Sequence, residues 1–231
     1  MDEQESEPTA PEPVYPNDTL EAALARHGIE LPEPQRLLVD RYCRLLWDWN
    51  AKINLTRHTD YEKFVARDLA DTLQLSTLIK PNEEVLEIGS GGGVPGLVLA
   101  LLRPDLTVTL TESIGKKAKA LADIVKQLGV KVRVEAVRAE AVLKDERFDV
   151  TIARGVGPLV KLLLWLQPHW LSVGRLLAIK GPKWSDERGE ARHRGLLHEL
   201  ELRKVAEYPL AGTASQSVIL KLWPRGMERE P

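Results

Sequence analysis

Residues 87–96 read EIGSGGGVPG, with glycine at 89, 91, 92, 93 and 96 directly behind the apolar pair Val85–Leu86. A strand that runs into so many glycines and then into a helix brings main-chain N–H groups close to a ligand, at the carboxyl edge of a sheet. Gly91, Gly93 and Gly96 satisfy the G-x-G-x-x-G spacing, which taken alone suits a dinucleotide. Glu87 argues for a different ligand. A carboxylate at the strand tip repels a pyrophosphate but favours a sulfonium and an ammonium, the charge pattern of S-adenosylmethionine. Glu112, in TLTES, closes the next strand and is positioned to accept hydrogen bonds from ribose hydroxyls, a feature shared by both cofactor classes. A Walker-type phosphate loop is excluded, because no Gly-Lys-Ser/Thr follows the glycines.

Further along, VRAEAV sets Ala139 and Glu140 just past a third strand, where a backbone N–H and a side-chain acceptor would border an adenine; an ordinary polar loop is the alternative there. Arg154 closes FDVTIAR and is expected to face the same cleft. The fourth strand is not followed by the Asn/Asp-Pro-Pro-aromatic turn used to methylate exocyclic amines. Carbon-5 pyrimidine methylation needs a cysteine nucleophile, and the one cysteine, Cys43, lies far away in a predicted helix. A ring nitrogen with an exposed lone pair, such as guanine N7, needs neither device, only alignment and exclusion of water.

The elements that must hold these residues follow from periodicity. The stretches 84–89, 106–112, 131–137, 148–155 and 174–181 are short, apolar and β-branched, with helical patterns at 95–103, 115–128 and 158–171 between them. Such alternation predicts a mainly parallel sheet covered by helices on both faces. ELRKVAEYPL and SQSVILKLW are consecutive strands, expected as an antiparallel edge pair, while 182–195 shows no readable pattern. Upstream, DTLEAALARHG, the stripe Leu37–Leu38, Tyr42, Leu45–Leu46 and Trp49, and residues 61–78 read as helices. The expected organisation is an acidic, proline-rich disordered tail at 1–17, a helical region at 18–80, a sheet domain at 81–224 and a tail at 225–231.

Composition is that of a globular protein, 43% apolar and 29% charged. No apolar run approaches a bilayer span and no signal peptide is visible, so a cytoplasmic protein without a membrane partner is expected. A single cysteine excludes an internal disulfide and a cysteine-rich metal site, and no metal is expected. The net charge of −2 conceals an asymmetry. Asp2, Glu3, Glu5, Glu7, Glu12 and Asp18 stand in an N-terminal stretch with no lysine or arginine, so the remainder is mildly basic. That permits an anionic partner without nominating one.

VLEIGSGGGVPGLVLALLRPDLTVTLTESIGKKAKAL, with FDVTIARGVGPL, LLAIKG and the upstream WNAKINLT, resembles the small-subunit ribosomal RNA guanine-N7 methyltransferases, also called glucose-inhibited division protein B. The similarity covers about residues 35–222. It implies a Rossmann-like seven-stranded methyltransferase sheet with an N-terminal helical cap, S-adenosylmethionine as methyl donor, and 16S rRNA or the small ribosomal subunit as partner; a monomer is expected. By position, Gly89, Val94, Ala139, Glu140 and Arg154 fall where the family contacts cofactor. Asn54 and Lys180 match positions on the substrate side, and Lys116–Lys117 match a basic pair. Three departures fall in the substrate-facing half. Asp68 stands where the family has histidine, Ala153–Arg154–Gly155 replaces Ser-Arg-Ala, and no arginine precedes the last strand. Alternatives to guanine-N7 methylation are a related methyltransferase with another substrate and a non-catalytic RNA- or ribosome-binding homologue.

Overall fold

The computed structural model describes residues 18–211 and 215–227. The tail expected at 1–17, the end of the C-terminal tail and part of the segment before the last strand lie outside them. Helix α1 (Leu20–Arg26) starts where the Thr19 hydroxyl accepts the Ala22 N–H at 3.1 Å. Helix α2 (Glu33–Asn50) has proline in its first turn and buries Val39, Tyr42, Cys43 and Leu46, a spacing of three and four that makes one stripe. The segment expected as one helix over 61–78 is three consecutive pieces. Asp60 caps α3 (Tyr61–Lys63), a π-helical turn follows at Phe64–Leu69, and α4 (Ala70–Ser76) completes it. Five residues of that π turn, Asp68 among them, are buried. Wide turns of this kind collect at functional sites.

The sheet comprises β1 (Glu84–Ile88), β2 (Thr107–Thr111), β3 (Arg133–Glu135), β4 (Phe148–Arg154), β5 (Val173–Lys180), β6 (Leu200–Pro209) and β7 (Gln216–Pro224) in the order β3-β2-β1-β4-β5-β7-β6. The first five strands of that order are parallel; β7 runs antiparallel to β5, and β6 to β7. The seven-stranded, mostly parallel sheet with an antiparallel edge pair is the architecture expected from the sequence. Strand order reverses between β1 and β4, and crevices at such switch points hold ligands.

Helices α5 (Gly96–Leu102) and α6 (Gly115–Leu128) pack with the N-terminal helices on one face. The short α7 (Ala139–Val142), α8 (Leu159–Leu166) with a 3-10 turn at Gln167–Ser172, and α9 (Trp184–His193) cover the other. Helix α9 occupies the stretch without a readable pattern because it buries one residue, Ala191, and so shows no apolar stripe. The cap is tied down through side chains. Trp49 Nε1 donates to Asp123 of α6 at 2.8 Å, and Gln35 Nε2 donates to the Leu102 carbonyl of α5 at 2.9 Å.

Candidate active site

The glycine turn is built as much by what lies under it as by what it faces. Gly96 opens α5 directly above Glu87, and a Cβ added there would stand 2.4 Å from Glu87 Oε2 and 2.6 Å from Leu110 Cδ2. Its N–H donates to Glu87 Oε1 at 3.0 Å. Gly93 has φ +101°, with Leu97 and Leu121 closed around it, so a side chain is barred by backbone and space together. From the cap, the Tyr42 hydroxyl donates to the Gly92 carbonyl at 2.9 Å, and Val94 packs on the core. The expectation that the Glu87 carboxylate faces a cationic ligand is therefore corrected. Glu87 is 1% exposed and serves as a peg between β1 and α5. Burial pushes its carboxyl up to about 7, against the opposing pull of the Ser90 hydroxyl and the Gly96 N–H.

A cleft of about 260 Å³ opens at the carboxyl ends of β1 and β2, with Ile88, Gly89 and Thr111 at its base. Glu112 is 6% exposed and lines it. Its Oε2 accepts the Gly91 N–H at 3.0 Å and its Oε1 the Ile114 N–H at 2.7 Å. A carboxylate has about four acceptor positions, so lone pairs remain for a diol. Ile114, Val137, Val156 and Trp165 give the cleft apolar walls, and Ala139 and Glu140 stand at the start of α7 on its far side. The Arg138 guanidinium lies 4.9 Å from the Trp165 ring centroid and is paired with Glu140 at 2.6 Å. These residues fit an adenosyl group: acceptors for ribose hydroxyls, apolar faces for a purine, and helix-start N–H groups at its edge. A larger hollow of about 950 Å³ lies at the opposite end of the sheet, where Glu84, Phe148 and Val173 begin β1, β4 and β5, and includes no residue of the glycine turn.

Gly89, Glu112, Ala139 and Glu140 are thus brought together around one cleft. Arg154 is not; its guanidinium is taken up by the cap. Arg154 Nη2 pairs with Asp68 Oδ1 at 2.7 Å and Nη1 with Asp71 Oδ2 at 3.0 Å, while Tyr208 of β6 donates to Asp71 Oδ1 at 2.7 Å. His58 Nδ1 lies 3.0 Å from Asp68 Oδ2. Burial favours the neutral acid at Asp68, yet His58 and Arg154 outweigh it and hold the carboxyl below its usual range. Lys180 is likewise engaged within the fold. Its Nζ pairs with Glu187 of α9 at 2.6 Å and donates to the Gly157 carbonyl at 2.8 Å.

Asn54 is exposed on the loop after α2, which Asn50 shapes by accepting the Leu55 and Thr56 N–H groups at 2.8 and 3.0 Å. Lys116 is exposed and Lys117 half-buried in the first turn of α6. Sequence reasoning missed His58, Asp71, Tyr208 and the apolar cleft walls. Three of the walls, Ile114, Val137 and Val156, leave one usable signal, apolar residues just past strand ends that no helical or strand period accounts for. Among the described residues no group of His, Cys, Asp and Glu is placed to hold a metal ion, and no helix is long and apolar enough to cross a membrane.

The family model described as rRNA small subunit methyltransferase G matches residues 35–213. The ribosomal RNA small subunit methyltransferase G of Rhodopirellula baltica is 54% identical over 194 residues, covering 84% of each chain. That of Halorhodospira halophila is 39% identical over 176 residues, 76% of this chain and 83% of the other. Among solved structures, a mutant of MtNAS in complex with S-adenosylmethionine superposes with TM-score 0.56 at 15% identity, covering 89% of this chain and 84% of the other, a likeness of fold.

Proposed function

The chain belongs to the rRNA small subunit methyltransferase G family, and on that premise we propose that it methylates N7 of a guanine in 16S ribosomal RNA, in the cytoplasm, with the rRNA or the small subunit as its partner. The observation that carries the cofactor half is Glu112. It closes β2 beside an apolar slot, already holds two loop amides and keeps lone pairs for a ribose. Bound there, S-adenosylmethionine would supply an electrophilic methyl carbon for the guanine N7 lone pair, with the sulfur as leaving group.

No proton has to move in that transfer, so the protein's work is placement and dryness. Gly89, Glu112, Ala139 and Glu140 hold the cofactor. Glu87, Gly91, Gly93 and Val94 keep the turn in shape beneath it. Arg154 and Lys180 fix the loop after β4 from its two sides, one through the cap and the other through α9. Asn54 belongs to the cap loop on the substrate side.

Calorimetry with S-adenosylhomocysteine tests the first half; absence of binding removes it. For the second, 16S rRNA from a deletion strain is incubated with the protein and labelled donor, then cleaved by N7-specific reduction and aniline treatment. Cleavage at one guanine is the expected result. Label on another atom or base assigns a related methyltransferase with a different substrate, and binding of both ligands without turnover assigns a non-catalytic homologue.

A further inference from the structure

Next to the cofactor cleft the carboxyl end of the sheet carries a carboxylate–imidazole pair that spans two parts of the cap. Asp68 comes from the π-helical turn and is 1% exposed, whereas His58 comes from the loop after α2 with a side chain 29% exposed. The ring is oriented by its surroundings. Its Nδ1 is buried 3.0 Å from Asp68 Oδ2, an ion-pair contact without hydrogen-bond geometry, and the His58 backbone carbonyl accepts the Trp47 indole N–H at 2.8 Å. The other Asp68 oxygen is held at 2.7 Å by Arg154, which ends β4 two residues before the cleft wall Val156. The loop that carries His58 also lies on the glycine turn, since a Cβ on Gly92 would stand 3.6 Å from the Leu55 carbonyl.

In the neutral ring, a carboxylate 3.0 Å from Nδ1 favours the tautomer with the proton on that nitrogen, which leaves Nε2 as an acceptor. The same logic orients a catalytic histidine in hydrolases, where a buried aspartate fixes the tautomer and the far nitrogen does the work. We propose that His58 Nε2 accepts a hydrogen bond from the Watson–Crick edge of the target guanine, with Asp68 as its positioning residue; this rests on the guanine-N7 reading above. Guanine offers N1–H and N2–H donors on that edge, whereas adenine has an acceptor at N1 and its donor at N6. An acceptor aimed at the N1 position therefore favours guanine over adenine as well as aligning the base.

The contact also gains strength during the reaction. As N7 takes the methyl carbon, positive charge spreads over the purine and N1–H becomes a better donor. A fixed acceptor thus binds the transition state more tightly than the ground state, which is the kind of interaction that raises kcat. The proton stays on guanine throughout, so no base is consumed.

The test is steady-state methylation of 16S rRNA by the full chain, with S-adenosylhomocysteine affinity and thermal melting measured alongside. His58→Ala is expected to lower kcat about tenfold or more while KM for RNA and cofactor affinity stay within about threefold. His58→Gln, whose amide oxygen accepts, is expected to restore part of that loss. Asp68→Asn is expected to lower kcat as well, because the tautomer is no longer fixed. Wild-type kcat in His58→Ala overturns the proposal. So does a loss that tracks the folded fraction and cofactor affinity in all three variants, with no rescue by glutamine. Failure of the unmutated protein to methylate guanine N7 is a separate result and overturns the parent reading.

Discussion

Glu87 Oε1 accepts the Gly96 N–H at 3.0 Å, so the penultimate residue of β1 is bonded to the first residue of α5 beneath the turn that joins them. Burial is the largest influence on this carboxyl and lifts it from 4.5 to about 7. Because the folded value is the higher one, the stability it contributes is full below the unfolded value and is lost as pH rises through the folded one. Urea unfolding near pH 5 and near pH 8.5 should show a fall on the order of 3 kcal/mol from this group. Glu87→Gln keeps an acceptor for Gly96 and should flatten that dependence.

Gly96→Ala should unfold the same joint by overpacking. The added methyl would meet the Glu87 carboxylate and Leu110 well inside contact distance, at the base of a helix that cannot back away from a central strand. A loss of about 1–3 kcal/mol is expected. A thermal melt that matches wild type would show the joint to be looser than the geometry indicates.

Glu112 joins structure to ligand. Its two oxygens hold the Gly91 and Ile114 amides, and its spare lone pairs are those assigned to the ribose. Hydrogen bonds to an ionised group are worth about 1.5–3 kcal/mol each. Glu112→Gln loses the charge and one loop contact, and calorimetry should show S-adenosylhomocysteine bound at least about tenfold more weakly. Unchanged affinity would place the cofactor elsewhere.

How much of this was readable beforehand depended on whether a property was local. The parallel strands, the cofactor turn and the edge pair came from apolar runs and glycine spacing, which local sequence encodes directly. Helix α9 escaped because its surface is polar almost all round, so there was no stripe to read. Glu87 stands at the strand end that its sequence position indicates but points away from the cleft. Its type and position are local, whereas the side on which it lies depends on α5 closing over it. The same holds for Asp68. Beside the family pattern it reads as a lost histidine, yet in three dimensions it is paired with His58, ten positions earlier, and with Arg154 from the far half of the chain. Arg154 and Lys180 stand at strand ends that face function in this fold, and partners distant in sequence take up their charges.

Arg154 provides the sharpest separation between a ligand contact and a strut. Its guanidinium bridges two buried carboxylates of the cap, and Asp71 is in turn bonded to Tyr208 of β6, so one side chain links cap, central sheet and edge strand. Burial alone disfavours its charge, but Asp68 and Asp71 overcome that and hold it protonated. Arg154→Met removes the cation and leaves both carboxylates without their shared partner. Breaking such a pair by deleting one side costs about 3–5 kcal/mol. Denaturant unfolding should register that loss, and pairing the change with Asp71→Asn should make the combined cost smaller than the sum of the two. At a temperature where the variant stays folded, S-adenosylhomocysteine affinity should remain within about threefold of wild type, because the guanidinium lies outside the cleft. A variant of normal stability that no longer binds the cofactor would make Arg154 a ligand after all, and would require the cap and sheet to part when the cofactor enters.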